Sequence, residues 1–244
     1  ILILTWCDGD DEETELLGNW VELSDFEGVS RSDAVSFSIN DKGYVTTGYD
    51  GDDRLNDLWE YDPSKDYWMQ KASCPANPRN GAVGFGTSTK GYMGTGYDGS
   101  NKLKDFWEYD PQSNAWIQVA DFPGSARYSA IAFSIDNKGY VGTGYDGNYL
   151  KDLWMFNPEA NEWTQKVSVG GSKRRDAVSF VINGKAYVCT GVNNGTYESD
   201  FWEYDPVADL WTEKRDIANV SDDNYDDDYD ITRTNAVAFS AKGL

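Results

Sequence analysis

The sequence predicts an all-β fold, a β-propeller of four-stranded antiparallel blades, and three observations carry that expectation. GYDG stands at residues 48–51, 96–99 and 144–147, each time a few residues ahead of an aromatic run, LWEYDP, FWEYDP or LWMFNP. The last tryptophan of each unit falls at Trp20, Trp68, Trp116, Trp163 and Trp211, in steps of 48, 48, 47 and 48 residues, and a period of this size marks a repeat architecture. Nothing between the repeated words shows a helical period.

Each unit divides in order. In the first full copy AVSFSI, KGYVTTG, DLWEYD and YWMQKA are short runs rich in β-branched and aromatic residues, and each reads as a strand. NDKG, YDGDDRLN and PSK separate them with Gly, Asn, Asp and Pro turn chemistry. DLWEYD sets Leu58 on one face with Trp59 and Tyr61 flanking it, so both faces of the sheet are apolar and neighbouring units must cover them. Packing the sheets radially about an axis does so and leaves only short edges.

Composition bounds the chemistry. With 10 Trp and 16 Tyr among 244 residues, the chain has the apolar side chains it needs to fold. A formal charge of -21 without a basic cluster speaks against nucleic acid as a partner, since phosphates are bound through Lys and Arg. The sequence has no His, which removes the commonest general base and the commonest ligand of catalytic zinc or copper. No metal or cofactor is expected. Cys7, Cys74 and Cys189 stand at unrelated spacings and read as neither a disulfide framework nor a metal site. Cys189, in AYVCTG where other copies carry Thr46, Gly94 and Gly142, reads as a small packed residue.

The linked strings R-x-x-A-V-x-F, K-G-Y-V-x-T-G and W-E-Y-D-P-x-x-x-x-W resemble the kelch repeat, from Gly18 to the end of the sequence. The usual Gly-Gly doublet after the second strand is here Thr-Gly followed by Tyr-Asp-Gly, as in Thr47, Gly48, Tyr49, Asp50 and Gly51. That variant looks like the kelch-type repeats of bacterial envelope and secreted proteins. Blades are expected at about 31–78, 79–126, 127–174 and 175–232, with 18–30 and 233–244 as parts of a closing blade or blades. GNWVEL at 18–23 matches only a fourth strand and NAVAFS at 235–240 only a first. The resemblance implies that one terminus supplies a strand to a blade begun at the other, so four complete blades read as part of a ring of six.

Residues 1–17 read as the end of a signal followed by an acidic spacer. ILILTWC resembles a bacterial lipoprotein signal in which Cys7 becomes the lipidated first residue, although Trp6 stands where a small residue is expected. The acidic residues Asp8, Asp10, Asp11, Glu12 and Glu13 resemble the spacer of lipoproteins exported to the surface of Bacteroidetes-type cells. The implied location is the cell envelope, anchored by lipid to the outer membrane or exposed at the surface, with secretion or the periplasm as the other reading. No run is long enough to span a membrane as a helix.

In an up-and-down meander, the segment leading into the first strand and the loop between strands two and three lie on one side of the ring. That side gathers Arg31, Arg79, Arg127 and Arg175 with Tyr49, Tyr97 and Tyr145, forked donors and aromatic platforms suited to a carboxylate, sugar or peptide. A residue present in every copy also reads as blade architecture, for instance an Arg pairing with Glu60, Glu108 or Glu203 between blades. Residues particular to one copy are then better site candidates, namely Asn193, Asn194 and Tyr197 in GVNNGTYESD. The insert bearing Asp222, Asp223, Asp226, Asp227, Asp228 and Asp230 offers clustered oxygens for Ca²⁺, but reads as a solvated loop. Eight tryptophans occupy two equivalent strand positions in the four blades and read as core.

The function expected is a non-enzymatic binding module that recognises a protein or glycan through the Arg and Tyr-Asp-Gly face. Kelch-like propellers also include galactose oxidase and bacterial sialic acid mutarotases. The first needs His ligands that this sequence lacks. The second, a carbohydrate-active enzyme, remains an alternative, as does a targeting domain of a larger protein.

Overall fold

The computed structural model describes residues 21–218, 232–238 and 240. Cys7, Trp20 and the acidic insert lie outside the described residues. Four antiparallel four-stranded sheets follow one another along the chain. The first holds β1 (Val35–Ile39), β2 (Lys42–Thr46), β3 (Leu58–Asp62) and β4 (Tyr67–Lys71). The second holds β5 (Val83–Gly86), β6 (Gly91–Gly94), β7 (Phe106–Asp110) and β8 (Ala115–Val119). β9 (Ile131–Ile135), β10 (Lys138–Gly142), β11 (Leu153–Asn157) and β12 (Glu162–Lys166) make the third. In the fourth, β13 (Val178–Ile182) and β14 (Lys185–Cys189) are followed by a two-stranded ribbon, β15 (Val192–Asn193) and β16 (Thr196–Tyr197), before β17 (Phe201–Asp205) and β18 (Leu210–Lys214). The strands expected in the four complete blades are all present, and the ribbon is an addition.

First strands pack on one another, β1 on β5, β5 on β9 and β9 on β13, which places them nearest the axis of a propeller. The apolar clusters form between sheets. Phe37 and Leu58 meet Met93 and Tyr109, Phe85 and Phe106 meet Val141 and Phe156, and Phe133 and Leu153 meet Val188 and Tyr204. Burying each such side chain contributes roughly 1.5–3 kcal/mol, so each blade draws its core from a neighbour. The glycine of K-G-Y makes this approach possible. A Cβ on Gly91 would come within 2.2 Å of Phe37, and one on Gly139 within 2.0 Å of Phe85.

Hydrogen bonds stitch the outer seams. Trp116, Trp163 and Trp211 donate Nε1–H to the carbonyls of Ala72, Ala120 and Val167, each on the segment leaving the preceding blade. Asn114, Asn161 and Asp209 accept the backbone N–H of the same three residues. Of the eight repeated tryptophans only Trp211 is fully buried. The others are partly buried: Trp107, Trp116, Trp154, Trp163 and Trp202 pack against the apolar clusters, as expected of core residues, and Trp116 and Trp163 keep an edge at the seam where the indole reaches a carbonyl.

The segment ahead of the first blade repeats this arrangement. Ser24 donates its N–H to Asp66, and Phe26 packs edge-on against Trp59 and Trp68, as Phe122 does against Trp154 and Trp163. Val21–Leu23, read as part of a fourth strand, are in no strand of the described structure, and Val21 and Leu23 are exposed. The described part of NAVAFS forms no strand either.

Candidate binding face

Each blade opens on a buried arginine. Arg79 donates Nε–H to the Asn77 carbonyl at 3.0 Å, Nη1–H to the Thr95 carbonyl at 2.9 Å, and both η nitrogens to the two oxygens of Asp105 at 2.7 and 2.8 Å. Arg31 and Asp57 and Arg127 and Asp152 repeat the fork, and Arg174 donates to Asp200 at 2.6 Å. The aspartate also accepts from the tryptophan two residues on, Trp59, Trp107, Trp154 or Trp202. Burial raises the carboxyl pKa of Asp57 and Asp105, but the hydrogen bonds and charge of Arg31 and Arg79 outweigh it and hold both below the usual carboxylate range.

Two expectations are corrected here. The arginines pair with aspartates of their own blade and not with glutamates across blades, because Glu60 and Glu203 already accept from Lys42 and Tyr44 and from Lys185 and Tyr187, and Glu108 from Tyr92. The fourth arginine of the set is Arg174, not Arg175. The third blade is one residue short in its GYDG loop, so the step from Arg127 is 47, the same step that separates Trp116 from Trp163.

GYDG is a turn that holds itself. Gly48 has φ 107°, a Cβ there would lie 2.9 Å from the Ser32 carbonyl, and its N–H donates to the Arg79 carbonyl of the next blade. Tyr49 exchanges backbone bonds with Ser32, and its hydroxyl donates to the Gly51 carbonyl. Asp50 accepts the N–H groups of Asp52 and Asp53, bonds that lower its pKa. The threonine ahead of each turn, Thr47, Thr95, Thr143 or Thr190, sits at φ between 58° and 61° with its hydroxyl buried and unbonded. For a β-branched residue that backbone costs roughly 1–2 kcal/mol. The arginine bond to its carbonyl helps to hold it there.

Above this framework each blade presents a rim three side chains wide. Ser32, Asn80, Tyr128 and Arg175 come from the leading segment, and Tyr49, Tyr97, Tyr145 and Val192 pair with them through the backbone. Arg54, Lys102, Tyr149 and Tyr197 return beside those in turn. The side chains join into a belt across the blades. The Arg54 guanidinium lies 5.3 Å from the Tyr49 ring and 5.0 Å from the Tyr97 ring. Tyr97, Tyr128, Tyr145 and Tyr149 follow at centroid distances of 5.9, 5.8 and 5.2 Å. Arg175 closes the belt over Tyr128, Tyr145 and Tyr149 at 5.9, 5.3 and 5.9 Å, within the range of cation–π attraction. Beneath the rim, a central hollow of about 470 Å³ is bordered by Ala34, Ala82, Ala130 and Ala177.

The kelch-motif model matches residues 30–75, 96–123, 135–169 and 173–216, more than half of the chain. The chain belongs to the kelch-motif family. No curated protein sequence matches it. Among solved structures, that of YjhT is similar with a TM-score of 0.67 and 18% identity, covering 78% of this chain and 67% of that one, a likeness of fold alone.

Within the kelch framework the expected site residues divide in two. Arg31, Arg79 and Arg127 are engaged inside their blades, whereas Tyr49, Tyr97, Tyr145 and Arg175 belong to the rim belt. Asn193 and Asn194 border a small cleft with Tyr145 and Tyr149. Tyr197 is 57% exposed and stands apart from the belt's ring contacts. Arg54, Tyr128 and Tyr149 complete the belt and were not foreseen. The visible signal was Asp57, Asp105, Asp152 and Asp200, each two residues before a tryptophan in every copy. They occupy the framework arginines, and the rim side chains that differ between copies are not part of these forks. Among the described residues no cluster of potential metal ligands occurs, and no helix is long and apolar enough to cross a membrane.

Proposed function

We propose that this kelch protein is a non-enzymatic binding module that recognises a protein or glycan ligand at the cell envelope through its Tyr and Arg rim. One observation carries the reading. The Arg, Thr, Asp and Trp positions that frame each blade hold the same residue in all four copies, while two of the three rim positions hold Ser, Asn, Tyr and Arg at one place and Arg, Lys, Tyr and Tyr at the other. A scaffold needs no such variation, and loops on a rigid scaffold are where binding residues concentrate. Partly exposed tyrosines add contact area at low entropic cost.

Arrays of immobilised glycans and peptides, probed with the protein and with a Tyr97→Ser, Tyr128→Ser, Tyr145→Ser triple variant, test the reading. Binding by the native protein and its loss in a variant of nearly unchanged melting temperature is the expected outcome. Retained binding in a folded variant overturns the rim as the site. The envelope location rests on Cys7, and a diacylglyceryl group on that residue in the full-length protein is the observation that supports it.

A further inference from the structure

We infer that the cleft between the third and fourth blades is a subsite for one neutral pyranose ring, built by a one-residue deletion. The inference rests on the rim reading and names a ligand class for part of it.

In the first two blades the rim tyrosine is spent on its own turn, Tyr49 hydroxyl to the Gly51 carbonyl and Tyr97 hydroxyl to the Gly99 carbonyl. The third blade reads GYDGNYLKD where the second reads GYDGSNKLKD. The shortened loop brings Tyr149 against Tyr145 at 5.2 Å, and the Tyr145 hydroxyl makes no such bond. It borders a cleft of about 220 Å³ with Tyr149, Lys173, Asn193 and Asn194. The fourth blade contributes its part through another departure, GVNNG in place of GYDG, which folds as the β15–β16 ribbon, puts Val192 in the rim tyrosine's place and sets two amides, Asn193 and Asn194, where the other blades have Asp and Gly. The side chains of Lys173, Asn193 and Asn194, like the hydroxyls of Tyr145 and Tyr149, are not engaged in the hydrogen bonds of the described structure.

Size and chemistry select the ligand. Drug-sized pockets run from roughly 300 to 1,000 Å³, so this cleft takes a single ring. Two amides and two phenols each donate and accept, which matches ring hydroxyls that do the same. The phenyl edges meet the ring's C–H face. Arg175, over both tyrosines, has Asp176 at 3.3 Å, and the protein carries a net charge of -21. Among the described residues Lys173 is the one cation lining the cleft, a point charge without the bidentate fork that suits a carboxylate, so the balance favours a neutral sugar over an anionic one.

Saturation-transfer NMR with methyl hexopyranosides and, separately, glucuronate tests this. Three variants accompany the native protein: Tyr145→Phe, Asn194→Ala, and a Ser inserted between Gly147 and Asn148 to restore the longer loop. Millimolar binding of at least one neutral glycoside, which corresponds to about −4 kcal/mol, weakened about tenfold or more by Tyr145→Phe and abolished by the insertion in a folded protein, is expected. Binding of glucuronate alone, or equal affinity in Tyr145→Phe, overturns the neutral-sugar subsite. If that happens while the triple rim variant still loses its array ligands, the rim reading stands and only the subsite fails.

Discussion

Arg79 reaches four acceptors from a position with no solvent exposure, and its counterparts do comparable work in the other blades. A buried fork of this kind adds little over an apolar replacement, but breaking it strands an aspartate and two carbonyls, which costs about 3–5 kcal/mol. Lysine cannot rebuild the fork, since its ammonium is a point donor. The tandem Arg174 and Arg175 separates framework from rim within two residues. Arg174→Lys is expected to lower unfolding free energy in urea by about 3 kcal/mol, and Arg175→Lys, half-buried and paired with Asp176, by less than about 1 kcal/mol. Equal costs would mean that the two arginines share the framework role.

At the scale of elements, the blade is a sheet whose cover comes from the next sheet and whose last strand is pinned by a tryptophan to the chain leaving the previous one. The Ser24–Gly28 segment makes the first of these contacts without a strand of its own. Phe26→Ala is therefore expected to cost about 2 kcal/mol, and Phe122→Ala, fully buried at the equivalent seam, about 4 kcal/mol. Urea titrations followed by tryptophan fluorescence measure both, and a neutral Phe26→Ala would show that the segment does not dock. Strands were legible in the sequence because alternation and turn residues act over a few positions. β1 and β3 fall inside AVSFSI and DLWEYD for that reason. The arginine register was misjudged because Arg174 and Arg175 are adjacent and a single missing loop residue decides between them. Tyr128 and Arg54 were illegible as site residues because what joins them to Tyr97 is the juxtaposition of blades 48 residues apart, which no local pattern encodes.

Across the whole molecule, 42 acidic residues stand against 21 basic ones. The buried forks are shielded from salt, so screening acts mainly on the repulsion among surface carboxylates. The melting temperature is expected to rise by several degrees as NaCl goes from about 20 to 500 mM, ionic strengths at which the Debye length falls from roughly 20 Å to a few ångströms. A fall would mean that surface ion pairs such as Lys90–Asp110 outweigh the repulsion.

Around the axis, Gly81 donates its N–H to the Asp33 carbonyl, Ser129 to Gly81 and Asp176 to Ser129. This chain of bonds is made of main-chain atoms only, as are the bridges that carry Ser32, Asn80, Tyr128 and Arg175. The side chains at those four places are thus exchangeable without touching the bonds that hold their backbone. The protein offers a ready-made display library: randomising 32, 80, 128 and 175 together varies a contiguous surface on an unaltered frame, and new specificities could be selected from it one blade at a time.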